Sequence, residues 1–562
     1  MKIVGFSFFS VFAGAMFIRI KEKSNGHRAI QIVQTVREGE RVRQKLVRHV
    51  GHAKNDEEVQ AYQEIATSIL NSLDPQLSFP LAKSPRVEPG LDCDFDNRVR
   101  IRDLREDRRV IEGIQAVFGN LYDELGFSKL LKPDRSDSKC DVILRDLVLA
   151  RLADPLSKRK SVQMLWRNFN IHHSLDPVYR MMDKVTAHQA EIRDTVCNAT
   201  LGLFQKGIDV LFFDVTTLFF ESFSADELRN FGFSKDCKFK QTQVVLALVT
   251  TTGGMPITYE LFPGNKFEGH TLLPIIELLK KRFEVHNILL VADRAMFTKE
   301  NLKAMDDQGI GYIVGAKLRK LPPTLRSQIL EERGYYPSVV EDELHWVGEF
   351  EHEGRRLITS YSSIRARKDQ SDRLRLIERL KKKSRGRDTL PIGEIINNAG
   401  TAKFLEIEKA SAKIDEKKIT SDAQWDGMHG IITNVKTQSA ISLLSRYRGL
   451  WQIEDAFRIK KNDLAMRPIF HWTENRIRAH VAICFLAYAI AKHATSKLQV
   501  SGLNLSFARL REELLLVQAS ILVNIRTRKF YRVPSKLTDL QAKIFKIFRL
   551  RRSDVPDLCA RQ

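Results

Sequence analysis

The stretch "IDVLFFDVTTLFFES" at residues 208–222 decides how this chain is read. Val210, Leu211, Phe212 and Phe213 are β-branched or large and apolar, the composition of a buried strand. Asp214 stands where the apolar run breaks, and Thr216 and Thr217 follow it. A buried carboxylate is costly unless something pairs with it. The question is what compensates Asp214.

Working outward, residues 242–251 and 255–262 read as two more strands joined by the turn "TTGGMP". A helix follows in "HTLLPIIELLKKRFEV", then the strand "NILLVAD", which ends on Asp293. Next come a helix over 298–308 and the strand "IGYIVGA". Hairpin strands followed by alternating helix and strand predict a mixed α/β sheet. Residues 321–435 break the alternation. They hold a hairpin-like pair, "LHWVGEFEHEGRRLITSYSS", and a basic run at 365–388 with 11 Lys/Arg against 4 Asp/Glu. That run is either a solvated helix face or a phosphate-contacting surface. The strand "MHGIITNV" closes the region, and helices dominate from there, including the apolar 480–491.

Upstream, residues 17–50 alternate apolar and polar around two turn signals and predict a small antiparallel unit. "SFPLAKSPRVEPG" (78–90) reads as a linker. Residues 106–205 carry helical periodicity, and "KSVQMLWRNFNIHHSLDPVYRMMDKV" reads as helix, break, helix, with Asp176-Pro177 opening the second. This is a helical hairpin or a helix-turn-helix with Arg180 and Lys184 outward. "IVGFSFFSVFAGAMFI" (3–18) resembles a signal-peptide core but is shorter than the ~20 residues that span a bilayer. Met16 opens the first alternating strand, so residues 1–15 are expected to be an upstream extension and the protein cytoplasmic, with no membrane partner.

The chain has 562 residues, too many for one core, and three to five domains are expected. Its 91 Lys and Arg against 69 Asp and Glu give a formal charge of +22, which points to a polyanion partner, most simply nucleic acid. Six scattered cysteines without a CxxC pair argue against a zinc ribbon or a disulfide framework.

A third acid, Glu454, lies in "YRGLWQIEDAFRIKKNDL". On a continuous helix, Tyr447, Glu454 and Lys461 fall about 20° apart in sequence and form one stripe with Arg458 beside it. The apolar face of Leu450, Ile453, Phe457 and Leu464 is centred roughly 80° away, so the stripe borders the buried face and suits a cleft wall. Taken singly, each acid has a plainer reading: a turn or cap residue for Asp214 and Asp293, and an i, i+4 partner of Arg458 for Glu454.

Together, "FFDVTT", "PGNKFEGHTL", "VADRAM", "WDGMHGIITN" and the Glu454 segment, in this order over about residues 208–490, resemble the DDE-type transposases of bacterial insertion sequences. The branch most resembled is the insertion-sequence-four superfamily, with its Tyr-x2-Arg-x3-Glu-x6-Lys signature. Tyr447, Glu454 and Lys461 match it, while Leu450 stands at the Arg position and Arg448 lies two residues earlier. "MFIRIKEKSNGHRAIQ" resembles the start of one subgroup. The resemblance implies an α/β fold with a ribonuclease-H-like catalytic core interrupted by a β-rich insertion domain, preceded by β-rich and helical DNA-binding regions. The corresponding division is 1–15 extension, 16–77 β-rich unit, 78–95 linker, 96–205 helical, 206–320 with 436–495 core, 321–435 insertion and 496–562 helical. It further implies that Asp214, Asp293 and Glu454 converge on two Mg²⁺ ions, which Mn²⁺ can replace. That would answer the opening question, since two divalent ions neutralise clustered carboxylates and clamp an in-line phosphoryl transfer.

Tyr447, Arg448, Arg458 and Lys461 would contact DNA, and Trp425 in "QWDG" is either a base-stacking or a core residue. The expected partners are the terminal inverted repeats and target DNA, bound by a homodimer. The expected activity is cleavage at element ends and strand transfer. A nuclease without strand transfer and a non-catalytic DNA-binding derivative are the alternatives.

Overall fold

The computed structural model describes residues 16–23, 26–38, 41–73, 99–131, 139–203, 210–220, 224–232, 241–266, 268–280, 288–296, 298–331, 333–340, 342–384, 390–391, 403–408, 411–450, 453, 464, 466–467 and 469–559. The chain divides into two units, residues 1–98 and 99–562.

In the first unit, β1 (Met16–Glu22), β2 (Arg28–Glu38) and β3 (Arg41–Ala53) form an antiparallel meander in which the period-2 alternation places Ile30 and Ile32 on one buried face. Helix α1 (Asp56–Leu73) starts where the Asn55 side chain accepts the Glu58 amide, and its Val59 and Ala66 close the core over that face.

The second unit opens with β4 (Leu104–Ile111) and a helical block: α2 (Asn120–Glu124), α3 (Cys140–Ala153), α4 (Lys158–Phe169), α5 (Leu175–Ala187) and α6 (Gln189–Leu201). Asn170 takes the left-handed conformation that ends α4, and Pro177 sits in the first turn of α5. The buried faces of this pair, including Met164, Leu165, Val178 and Met182, belong to the main core, as a packed helical hairpin requires.

The main sheet has nine strands in the order β10-β11-β12-β16-β9-β8-β5-β6-β7. β5 (Val210–Phe219), β6 (Gln243–Thr251) and β7 (Pro256–Pro263) are antiparallel neighbours. Gly253 and Gly254 both have positive φ and turn β6 into β7, which is why the turn is "TTGGMP". After α7 (Leu272–Lys280), β8 (Leu289–Ala292) runs parallel to β5. After α8 (Lys299–Asp307), β9 (Gly311–Gly315) runs parallel to β8. Alternate residues of β5 enter two different cores, Phe212 on one face and Leu211, Phe213 and Val215 on the other, so the strand is covered on both sides.

Residues 321–435 contain the hairpin and divide their strands between the main sheet and a small one of their own. They hold α9 (Pro323–Leu330), β10 (Tyr336–Val340), β11 (Glu343–His352), β12 (Arg355–Tyr361), α10 (Ser363–Ser384), a small sheet of β13 (Leu390–Pro391), β14 (Leu405–Glu408) and β15 (Ser411–Ile414), then α11 (Glu416–Ala423) and β16 (Met428–Thr433). β16 pairs antiparallel with β9, Ile431 opposite Gly315, so β10, β11, β12 and β16 extend the main sheet. The basic run at 365–388 falls largely within α10.

Beyond α12 (Ala440–Arg448), the 27-residue α13 (Glu474–Val500) is buried almost all round between α3, α5, α6 and β7, which explains its unbroken apolar stretch. Among the described residues no helix is long and apolar enough to cross a membrane. The C-terminal segment expected to be helical holds α14 (Phe507–Leu516) and α15 (Asp539–Ile547). It also holds β17 (Gln518–Asn524), β18 (Phe530–Pro534) and β19 (Asp557–Cys559), which form a four-stranded sheet with β4. β17 finds its partner more than 400 residues upstream, so local pattern alone gives no sign of it.

Candidate active site

Asp214 does not end its strand. β5 runs on to Phe219, and Asp214 lies in its middle, opposite Leu248 of β6. On the other side the pairing with β8 stops at Phe213 opposite Ala292. Asp214 and Asp293 are therefore the first residues beyond the last rung of a parallel pair, on strands about 4.8 Å apart. They fall on the same face of the sheet. Where parallel strands end and part is where open α/β sheets place their ligands. Each carboxylate is oriented locally: the Val215 amide donates to Asp214 Oδ1 at 2.7 Å, and the Arg294 amide donates to Asp293 Oδ1 at 2.6 Å. Both acids are half-buried.

Tyr447 closes one side of the pair. Its residue is 8% exposed, and its hydroxyl is held above the ordinary phenol range by burial and then by Asp293, with Asp214 adding to the effect. The next strand makes room for it. Gly315 follows Val314, which pairs with Ala292, so it lies level with Asp293. A Cβ there would fall on the Tyr447 hydroxyl and 2.6 Å from Arg294 Cγ. His429 of β16 meets the Tyr447 ring at 5.0 Å between centroids. Burial, followed by Arg365, Arg294 and Arg448, pushes its pKa down to about 3, so this imidazole is neutral at any working pH.

Asp293 opens into a cleft of about 540 Å³ whose walls include Arg294, Arg365 and Lys368, with Glu343 and Asp369 among them. A neighbouring cleft of about 420 Å³ shares Arg294 and Arg365 and adds Lys317 and Lys320. The Lys317 ammonium is held below its ordinary range by burial and then by Lys320 and Arg294, while Asp293 acts in the opposite sense. Two carboxylates in a basic surround offer hard oxygen donors, a set suited to a divalent ion such as Mg²⁺.

The other expected site residues part company. Arg448 Nη1 donates to the Val340 carbonyl at 3.1 Å, and Nη2 meets Glu343 at 3.4 Å and His345, so this guanidinium ties α12 to the β10–β11 hairpin. Trp425 is 8% exposed and packs with Leu321, Leu325 and Leu357, while it also lines the neighbouring cleft. The stripe drawn on one continuous helix needs correction: α12 ends at Arg448 with Gly449 as its cap, and Gly449 lies against the Phe212 ring. Leu450 is buried in the main core, which accounts for an apolar residue at the signature's Arg position. Glu454, Arg458 and Lys461 lie outside the described residues. Among the described residues no three His, Cys, Asp or Glu side chains gather as a ligand set. Sequence reasoning missed Arg294, Gly315, Lys317, Arg365 and His429. Arg294 was next to a chosen acid and Arg365 began the basic run, but Gly315 and His429 carried no local signal.

Two family models match the chain. A transposase DDE domain covers residues 205–490, just over half of the 562, and the N-terminal domain of IS1634 family transposases covers residues 18–76. No curated protein matches it.

Proposed function

The chain belongs to the family of transposases with a DDE domain, and from that premise we propose that Asp214, Asp293 and Glu454 are the acids that hold its divalent ions. The protein is a DNA transposase, and both family matches carry that function. DNA binding and divalent-metal dependence come with the family. The reading of the site goes further and rests on one observation: the β5–β8 register sets Asp214 and Asp293 side by side where the pairing ends. Neighbouring carboxylates repel unless a cation sits between them. Two Mg²⁺ ions, when bound, supply Lewis-acid stabilisation of the attacking and leaving oxygens.

The remaining steps belong to the chain. Asp214 and Asp293 bind through carboxylates already oriented by the amides that follow them. Tyr447 offers a hydroxyl that stays protonated and can donate to a phosphate oxygen. Arg294, Lys317 and Arg365 neutralise the strand that enters the cleft, and Arg458 and Lys461 would add phosphate contacts. Arg448 acts as a positioning residue for Tyr447 through the β10–β11 hairpin. The strand order β7-β6-β5-β8-β9, with β5, β8 and β9 parallel, supports a ribonuclease-H-like core, and residues 321–435 then count as an insertion that widens its sheet. We further read the enzyme as a cytoplasmic protein that acts on DNA as a homodimer, cutting at terminal inverted repeats and joining the freed 3′-hydroxyl to target DNA.

The test is incubation with a duplex carrying the element's terminal repeat, target DNA and Mg²⁺, which should yield cleaved and joined products. Asp214→Asn and Asp293→Asn should bind the same duplex in EDTA and yield neither product. Cleavage by either variant would overturn the acid assignment, and cleavage without joining would leave a nuclease.

A further inference from the structure

Away from the acids, a cavity of about 210 Å³ lies at the N-terminal end of α4. Arg151, Lys158, Arg159, Arg467, His471 and His480 line it, and among the described residues no carboxylate does. Lys158 is 4% exposed, and its ammonium has the His480 Nδ1 atom 3.5 Å away. His480 Nε2 lies 3.2 Å from the Met466 carbonyl. Donation to that carbonyl leaves Nδ1 as the acceptor for Lys158, so His480 is neutral. Arg151, also 4% exposed, donates to the Leu156 carbonyl at 2.9 Å and the Leu464 carbonyl at 3.3 Å.

The three titratable groups are shifted in one sense. Burial and then Arg151 bring Lys158 down to about 7, burial and then Lys158 bring His471 to about 3, and His480 is driven well below its usual range by the same two causes. A buried ammonium beside a guanidinium, with neutral imidazoles for company, is costly as it stands. An anion in the cavity would oppose each of these shifts. The volume suits a phosphate group and is below what a whole nucleotide needs. Ser157 caps α4 here, its side chain accepting the Lys160 amide, so the positive end of the helix lies at the same place.

We propose that this cavity is a phosphate site that seats one backbone phosphate of a DNA strand, with Lys158 and Arg159 as its cationic contacts. The proposal rests on the protein being a DNA transposase but not on the assignment of its acids. Two features favour a strand over free phosphate. Phe470, in the cavity wall, is 58% exposed, offering a ring face to an adjoining base. Arg467, also in the wall, has its guanidinium 5.3 Å from the Phe219 ring. Phe219 is five residues beyond Asp214 on β5, about 17 Å at ~3.3 Å per residue. A DNA strand rising ~3.4 Å per phosphate covers that in about five nucleotides.

The experiment uses the full chain in EDTA. Inorganic phosphate, titrated against chloride at equal ionic strength, should raise the melting temperature of the wild type saturably and leave Lys158→Met unmoved. A labelled oligonucleotide should bind Lys158→Met about tenfold more weakly, with a salt slope smaller by about one, and phosphate should compete in the wild type alone. Equal phosphate responses in both proteins would mean an adventitious ion only and overturn the site. A phosphate response without any loss of DNA affinity would overturn the strand as its occupant. Should Lys158→Met fail to fold, Arg159→Ala, at the exposed mouth, should weaken both responses with an unchanged melting temperature. Unchanged binding there would overturn the proposal. In Asp214→Asn the phosphate response should persist, which separates this site's failure from a failure of the acid assignment.

Discussion

The cleft beyond β8 and the cavity at the start of α4 are both rich in positive charge, but they are built on opposite terms. In the cleft, Arg294 and Arg365 stand beside Asp293, which follows the last rung of the β5–β8 pairing as Asp214 does. In the cavity, Lys158 and Arg151 stand around no described carboxylate at all. The first arrangement is short of cations at its centre, since two adjacent acids repel. The second gathers cations with no carboxylate among its described lining residues. Each is incomplete in the sense its ligand would supply, a divalent ion in one and a phosphate in the other. Removing the central charge should therefore have contrary results: loss of function at the acids, and a gain in stability at the buried lysine.

The largest effect falls on the acids. Asp214→Asn or Asp293→Asn should lower metal-dependent strand cleavage by at least about a thousandfold, a barrier change of roughly 4 kcal/mol. DNA affinity in EDTA should change little. Gel assays of cleavage beside binding measurements on the same preparations check both halves. If the variants lost binding in proportion to cleavage, the acids would be structural and the contrast with the cavity would collapse.

Lys158→Met tests the other side. Below pH 7 the lysine is protonated both folded and unfolded, and the folded state carries the full cost of its burial. Between the folded pKa of about 7 and the unfolded value of about 10.5, the unfolded chain binds the extra proton, so wild-type stability rises with pH. Lys158→Met lacks that titration. Its advantage over the wild type should be a few kcal/mol below pH 7 and should fade steadily toward pH 10. Denaturant melts at pH 6, 8 and 9.5 read this directly. A variant less stable than wild type at pH 6 would mean the ammonium is a structural asset.

Gly315 sharpens the comparison from the cleft side, because there the backbone rather than charge sets the geometry. Gly315→Ala would put a methyl on the Tyr447 hydroxyl and against Arg294 Cγ. Overpacking of this kind costs about 1–3 kcal/mol. It should also displace the two side chains nearest Asp293 and slow cleavage more than it weakens DNA binding. Tyr447→Phe on that background should recover part of the lost stability. No recovery would mean that the strain is borne by Arg294 instead.

How much of this was legible in the sequence follows from how far apart the contributing residues lie. The strands around Asp214 and Asp293 were readable because their apolar runs and the Gly253-Gly254 turn are local. That Asp214 sits inside its strand was hidden: Val215, Leu218 and Phe219 continue the apolar pattern only if Thr216 and Thr217 are accepted as buried, which they are. The end of α12 at Gly449 was readable in principle from glycine's place as a cap, but the stripe argument assumed a continuous helix through it. The extension of the sheet by β16 depends on pairing with β9 across more than a hundred residues, and periodicity cannot register it. The cavity gathers residues 151–159 with 467–480, which no spacing rule connects.

The smallest expected effect separates the two readings of the basic run. Within α10, Arg373 is already committed: Nη2 meets Asp426 Oδ2 at 2.6 Å, and the pair is largely buried. Arg365, one side of the same helix, has a half-exposed side chain, faces both clefts and has Asp369 no nearer than 3.8 Å. If α10 is only a solvated face, Arg365→Ala should change nothing beyond a few tenths of a kcal/mol of stability. As a phosphate contact, it should weaken DNA binding several-fold, to the same degree for specific and unrelated duplexes, because phosphate contacts position without reading bases. The slope of log affinity against log salt should fall by about one. A change confined to the specific duplex would instead assign Arg365 to base recognition, and no change at all would return the run to solvent. In either case the basic rim around the acids would be narrower than the cleft suggests.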